Sequence, residues 1–286
     1  MAAKRSILIG SPRPRKELGQ HFLQDEEIAY QIVHSMDLRW EDRALEIGPG
    51  RGILLRFLLK QCRQVTAVEL DIRLAKTLKS IFGGHPGLTL VFDNFQRFDL
   101  ESYVNASAAP VKVVGNIPYF LSSVILFRLF ELVARLHEQH QNPLKSATLM
   151  LQREVAQRLC ATAGGRVYGT ISIFRALVAD AELLFDVPGS AFFPPPRVTS
   201  AVVQLRFFPE QRFHIVDFFR FQEFVHHIFA QRRKMLKNTV NSIRWVRPDW
   251  RSIDADFSKR PEEFAAAELV ALFHQLLPSQ EHEISE

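Results

Sequence analysis

Residues Gly115-Asn116-Ile117-Pro118-Tyr119-Phe120 directly follow the apolar run 111–114 and set an amide, a proline-stiffened turn and an aromatic ring at the end of a buried strand. That combination suits chemistry on an exocyclic amino group. The lone pair of such a nitrogen, as at N6 of adenine, is delocalised into the ring, so the nitrogen is a poor nucleophile. An Asn oxygen and a backbone carbonyl can accept both of its hydrogens, which makes it more pyramidal and frees the lone pair for attack. Pro118 fixes its own φ and biases Ile117 toward extended backbone, which could aim the Ile117 carbonyl at the same amino group. Tyr119 could stack on the base. The same residues also read as an ordinary turn, because Asn and Pro are common turn formers, and a motif needs its context.

Glu46-Ile47-Gly48-Pro49-Gly50-Arg51-Gly52 lies between a strand at 44–47 and a helix at 53–60. Glycines there let a ligand approach the backbone closely. The pattern is G-x-G-x-G, whereas the dinucleotide fingerprint is G-x-G-x-x-G. It also carries Glu46 just before the turn, where a pyrophosphate would be repelled. S-adenosylmethionine (SAM) has no phosphate, and its ammonium and sulfonium are cationic, so an acid at this place suits it better. Glu69 closes the second strand, about 20 residues on, where an acid accepts from ribose hydroxyls. Asp93 at the end of the third strand could accept from the cofactor's adenine amino group. Each acid alone is as readily a surface or capping residue. Three at successive strand ends beside a glycine turn converge on the carboxyl edge of the sheet, where open α/β folds bind ligands.

The elements that must position these groups alternate strand and helix, which predicts a parallel sheet covered by helices. Asp25 reads as the N-cap of a helix with Ile28, Ile32, Val33 and Met36 on one face. Strands are expected at 44–47, 65–70, 88–92, 111–114 and 147–151. Helices are expected at 53–60, 73–82, 122–136 and 153–159, and a closing pair of strands at 182–187 and 201–207. Pro194-Pro195-Pro196 excludes regular structure before Ala201. Beyond residue 208 the strand signal fades. A helix over 217–237 and another over 262–277, led by Pro261 in its first turn, predict a small helical domain.

The chain has 286 residues and is 47% hydrophobic, enough for a large domain plus a small one with a sizeable core. No apolar run reaches the roughly 20 residues that span a bilayer. Cys62 and Cys160 lack metal-ligand spacing and read as reduced packing residues, and the histidines form no H-E-x-x-H pattern, so no metal is expected. Net charge is +5, which suits a polyanionic partner. Residues 1–16 contain Lys4, Arg5, Arg13, Arg15 and Lys16 and no acid, and a second basic cluster is Arg232, Arg233, Lys234 and Lys237. Each cluster reads either as a solvated face or as a phosphate grip. The basic start also resembles a transit peptide, although it is short and holds two prolines. A secretory signal does not fit the short apolar stretch 7–9.

In chain order the motifs resemble those of the small-subunit (16S) ribosomal RNA adenine N6,N6-dimethyltransferases, the KsgA family. The resemblance runs from about Arg15 to Leu277. It rests on Leu18-Gly19-Gln20-His21-Phe22-Leu23, the glycine turn, Glu69-Leu70-Asp71 and the Gly115–Tyr119 motif. It continues through Ala191-Phe192-Phe193-Pro194-Pro195-Pro196-Arg197-Val198-Thr199-Ser200 and Phe229-Ala230-Gln231-Arg232-Arg233-Lys234-Met235-Leu236-Lys237-Asn238. His21 stands where many relatives have Asn, and Arg197 where many have Lys.

The resemblance implies an α/β fold, a Rossmann-like class I SAM-dependent methyltransferase sheet with a small all-helical C-terminal domain. It implies a basic arm at 1–17, a catalytic domain at 18–208 and an RNA- and ribosome-binding domain at 209–286. SAM would contact His21, Leu23, Gly48, Gly50, Glu69, Asp93 and Asn116, while Asn116, Tyr119 and Phe192 would hold the target adenine. Arg13, Arg15, Lys16, Arg232, Arg233, Lys234 and Lys237 would grip RNA. The implied substrate is two adjacent adenines in the 3′-terminal hairpin of small-subunit rRNA, within an immature subunit, handled by a cytoplasmic monomer without metal or membrane. Three alternatives stay open: a large-subunit rRNA methyltransferase of the macrolide-resistance type, a mitochondrial homologue, and a mainly non-catalytic assembly factor. An NAD oxidoreductase lacks both the fingerprint and an acid/base histidine.

Overall fold

Strands β2 (Arg43–Ile47), β3 (Gln64–Val68), β4 (Leu88–Val91), β5 (Val111–Asn116) and β6 (Leu144–Gln152) arise from the apolar runs of the sequence and form the parallel part of one sheet. The structure is a computed structural model and describes residues 12–139, 142–246 and 249–278. Every residue of β2 is buried, as a strand covered by helices on both faces requires. Two further strands, β7 (Ala179–Val187) and β9 (Ser200–Phe207), pair antiparallel with each other, and β9 inserts beside β6. The sheet order is β4-β3-β2-β5-β6-β9-β7. The order reverses between β2 and β5, which opens a crevice at their carboxyl ends.

Helix α1 (Glu26–Ser35) starts where Asp25 accepts from the backbone N–H of Glu27 and Ile28, at 3.0 and 3.2 Å. Its Ile32, Val33 and Met36 pack with Leu55 and Leu58 of α2 (Leu55–Gln61), Leu78 of α3 (Ala75–Phe82), and Ala44, Val65 and Ala67 of the sheet. Helices α4 (Leu100–Asn105), α5 (Ser122–Glu138) and α6 (Arg153–Cys160) follow. A two-residue strand β1 (Phe22–Leu23) pairs antiparallel with β8 (Phe192–Phe193), setting Leu23 opposite Phe192 and Phe22 opposite Phe193.

The chain divides into two compact units, one of Met1–Gln157 and Ala179–Glu210, the other of Arg158–Val178 and Gln211–Glu286. The second unit contains α7 (Thr170–Val178), α8 (Phe218–Ala230), α9 (Lys237–Val240) and α10 (Ala266–Leu276). Its core is aromatic: Phe221 and Phe273 lie 5.3 Å apart edge to face, and Phe174 packs on Phe221. The segment Arg158–Val178 thus groups with the helical unit, whereas the sequence reading kept it in the sheet domain.

Two helices of that unit differ from expectation. The helix expected over 217–237 ends at Ala230. The N–H groups of Leu236 and Lys237 bond instead to the carbonyls of Lys259 and Phe257, at 2.8 and 3.0 Å, so the backbone leaves the helical path. The helix expected from 262 begins at Ala266, because Phe264 and Ala265 are extended. Glu263 caps the 3-10 turn at the Arg260 N–H and Glu268 caps α10 at the Ala265 N–H, each at 2.6 Å. Among the described residues no helix is long and apolar enough to cross a membrane.

Candidate active site

The glycine turn leaves β2 after Ile47, with Gly48, Gly50 and Gly52 all at positive φ. A Cβ on Gly52 would lie 2.4 Å from the Phe82 ring, so helix and turn close together only because that atom is missing. The Gly50 N–H donates to Glu69 Oε2 at 2.9 Å, and the Asp71 N–H donates to Oε1 at 2.8 Å. Burial pushes the Glu69 carboxyl up, and these two N–H donors work against that rise. Glu46 at the end of β2 is 1% exposed and its Oε2 has no hydrogen-bond partner. Burial first, and the charge of Glu69 second, push Glu46 up to about 8.

Asn116 ends β5 one strand away. Its Nδ2 donates to the His21 carbonyl at 2.9 Å, which leaves the amide oxygen for another donor. The His21 Nδ1–H donates to the Pro194 carbonyl at 2.7 Å, and the His21 ring lies 5.9 Å from the Tyr119 ring at 24°. The Tyr119 hydroxyl bonds Ser200 Oγ at 2.7 Å. Burial raises the phenol's pKa, with the Ser200 bond opposing. Gln20 Nε2 donates to Asp71 Oδ2 at 2.9 Å, tying the N-terminal signature to the end of β3. Arg73 is bidentate on Asp71, and that contact, with burial opposing it, holds the Asp71 carboxyl down at about 2.

One cleft in the first unit is lined by His21, Leu23, Gly48, Gly50, Glu69, Asn116 and Tyr119, so seven of the proposed residues come together. Two do not. Asp93 is exposed, turns back to its neighbour's N–H at 2.6 Å, and leaves Asn94 and Phe95 to line the cleft. Phe192 is 4% exposed and packs into the core, while Phe193 is 47% exposed. Adjacent strand residues point to opposite faces, so only one ring of the pair can be buried. Sequence reasoning matched Glu46 to the cations of SAM without counting it among the SAM contacts, and gave no role of their own to Gln20, Ser200 and Arg51. Ser200 gave no local signal, since its partner Tyr119 is 81 residues away.

The basic residues separate into different states. Lys4, Arg5 and the side chain of Lys16 lie outside the described residues. Arg13 is exposed, and Arg15 pairs with Glu17. In the second unit Arg232 is engaged by Glu262 and donates to the Arg166 carbonyl at 2.6 Å, so it braces a turn. Arg233 and Lys234 are exposed in that turn, beside Arg166 and Arg260 along a shallow concavity, and Lys237 is exposed on α9. The continuous basic helix expected over 232–237 is therefore replaced by a turn and a short helix.

This strand order, with an antiparallel β9 between β6 and β7 and a glycine turn at the switch point, defines a class I methyltransferase. Residues 12–248 match the model of a family described as ribosomal RNA adenine dimethylase, and the chain belongs to that family. It is similar to ribosomal RNA small subunit methyltransferase A of Leptothrix cholodnii, 39% identical over 259 residues, 91% of this chain and 90% of the relative. It is also similar to the probable ribosomal RNA small subunit methyltransferase A of Methanopyrus kandleri, 40% identical over 228 residues, 80% of this chain and 76% of the relative. Of solved structures, the 23S rRNA methyltransferase ErmE matches with a TM-score of 0.65 and 25% identity, covering 89% of this chain and 99% of that one. A dimethyladenosine transferase from Plasmodium falciparum shares the fold, with a TM-score of 0.72, 22% identity, and coverage of 89% and 97%. Family and fold imply the use of SAM as methyl donor.

Proposed function

We propose that this chain dimethylates N6 of two adjacent adenines in the 3′-terminal hairpin loop of small-subunit rRNA, acting as a cytoplasmic monomer on an immature subunit. The observation that carries the reading is the Asn116 amide, whose nitrogen is committed to the His21 carbonyl and whose oxygen is left for an amino group. SAM supplies an electrophilic methyl on its sulfonium.

Glu46, with its unmet buried oxygen, suits the SAM ammonium, and Glu69 at the end of β3 suits ribose hydroxyls. Asn116 and the Ile117 carbonyl accept the two N6 hydrogens, so the lone pair turns toward the methyl. Tyr119 stacks on the base, and its hydroxyl bond to Ser200 fixes the ring plane. Phe192 backs Leu23 from the core across the β1–β8 pair. Stacking repays part of the cost of unstacking the adenine, about 1–3 kcal/mol per base. No general base is needed before attack, because the alkylated nitrogen loses its proton to water. Orientation and polarisation then carry the rate. Arg13, Arg233, Lys234 and Lys237, exposed cations, hold phosphates.

The test incubates the protein with methyl-labelled SAM and, in separate reactions, small subunits lacking the modification and large-subunit RNA, then identifies the labelled nucleosides. N6,N6-dimethyladenosine from the 3′-terminal hairpin is expected. Label in large-subunit RNA instead would place the chain in the resistance branch. Tight subunit binding without label would make it an assembly factor.

A further inference from the structure

Phe120 follows Tyr119 in the chain and lines the same cleft, yet it has no part in the transfer proposed above. Its ring is 58% exposed. Exposed apolar residues scattered singly need no explanation, but this one stands on the wall of the cleft that holds Asn116 and Tyr119. Val124, one turn further along α5, is exposed as well. Tyr119 has the His21 ring beside it, whereas no ring among the described residues pairs with Phe120. A Cβ on Gly19 would lie 3.4 and 3.6 Å from Cδ1 and Cε1 of the Phe120 ring, so the N-terminal signature backs one ring edge and leaves the rest open.

Tyr119–Leu121 form a 3-10 turn. At three residues per turn, successive side chains diverge by about 120°. The Tyr119 and Phe120 rings therefore face different ways and cannot share one base. The Tyr119 ring is tied down through its hydroxyl to Ser200, and Phe120 has only its face to offer. An RNA that sends one adenine into the cleft brings the next base to the rim, because the two are joined by a single phosphodiester. Aromatic faces hold unstacked bases of single-stranded loops without reading their sequence. A second ring one residue along the chain, turned away from the first, is a platform for that neighbouring base.

We propose that Phe120 stacks on the base next to the adenine held by Asn116 and Tyr119, so that the other adenine of the pair is parked at the rim while its neighbour is methylated. This rests on the methyl-transfer reading and adds a binding residue for the nucleotide that is not reacting. Val124 extends the apolar surface beside that ring along α5.

The test is single-turnover methylation, below saturation, of unmodified small subunits reconstituted with rRNA in which each adenine of the pair in turn is replaced by an abasic nucleotide. The rate at the remaining adenine is compared with its rate in the intact pair. For the placement that removes the base facing Phe120, the wild type should slow by about 5-fold or more, the low end for one stacked base. Phe120→Ala should slow by a similar factor on the intact pair and no further on that abasic subunit, while Phe120→Tyr should behave as the wild type. Phe120→Leu, which keeps apolar bulk without a flat face, replaces the alanine variant should that one not fold. A wild type indifferent to both abasic placements would overturn the assignment. So would a variant that slows on the abasic subunits as much as on the intact pair, or one whose loss of rate is matched by a loss of SAM affinity. A wild type that leaves both adenines of the intact pair unmethylated would instead overturn the methyl-transfer reading itself.

Discussion

The two ends of the sheet bury charges in opposite ways. At the amino end, Lys112 on β5 reaches Asp42 at 2.9 Å, and Asp42 also accepts from the Arg39 N–H. Beside it, Arg43 donates to the carbonyls of Tyr103 and Val104 and lies 4.3 Å over the Tyr103 ring. At the carboxyl end, Glu46 and Arg51 are as deeply buried, yet each has atoms without a partner. The same strands carry both ends, so the difference is not one of fold. Buried polar groups are normally satisfied. Asp42, Lys112 and Arg43 close the amino end on itself, and Glu69 and Asp71 do the same at the carboxyl end, whereas Glu46 and Arg51 keep atoms without a partner.

Breaking the closed end should have the largest effect on stability. Asp42→Ala takes the carboxylate from Lys112, which keeps only the Asp37 carbonyl, and a destabilisation of about 2 kcal/mol is expected in denaturant unfolding, with methyl transfer per folded molecule unchanged. A loss of turnover at normal stability would erase the distinction between the ends.

Glu46→Gln should do the reverse. In the folded state this carboxyl titrates near 8, above its ordinary 4.5. Between those values the native protein holds the extra proton, so wild-type stability falls as pH rises, by roughly 1 kcal/mol per pH unit, and flattens above 8. The variant should lack that slope. An ammonium beside Glu46 favours the charged form, so SAM affinity should rise toward pH 8 in the wild type and stay flat in Glu46→Gln. Parallel curves for the two proteins would show that Glu46 faces no cation.

The smallest change is Tyr119→Phe. Losing the bond to Ser200 should cost about 1 kcal/mol of stability and raise KM for the RNA a few-fold, with stacking intact. A collapse of turnover would mean that the hydroxyl itself takes part.

Sequence legibility followed the same division. Residues of the site that sit within one strand and its turn could be read directly. Asn116 ends β5, Pro118 and Tyr119 come directly after it, and Glu69 follows β3. What depended on distant pairing could not. The β1–β8 pair has two residues a side, too few for any periodicity, and joins Leu23 to Phe192 across most of the chain. That is why the buried and exposed rings of Phe192 and Phe193 could not be sorted from the motif. Asp93 kept its place at a strand end, but its bond to the next N–H turned the side chain away. Apolar spacing carried the helical pattern past Ala230 through Met235 and Leu236, while carbonyls at 257 and 259 claimed the backbone.

The measurement that bears most directly on the account is single-turnover methylation of unmodified small subunits by Asn116→Ala, with SAM affinity and melting temperature recorded on the same protein. A rate lower by about 100-fold or more is expected, the range for losing one preorganised polar contact at a reacting centre, with melting within a few degrees of wild type and SAM still bound. Near-normal dimethylation by that variant would contradict it.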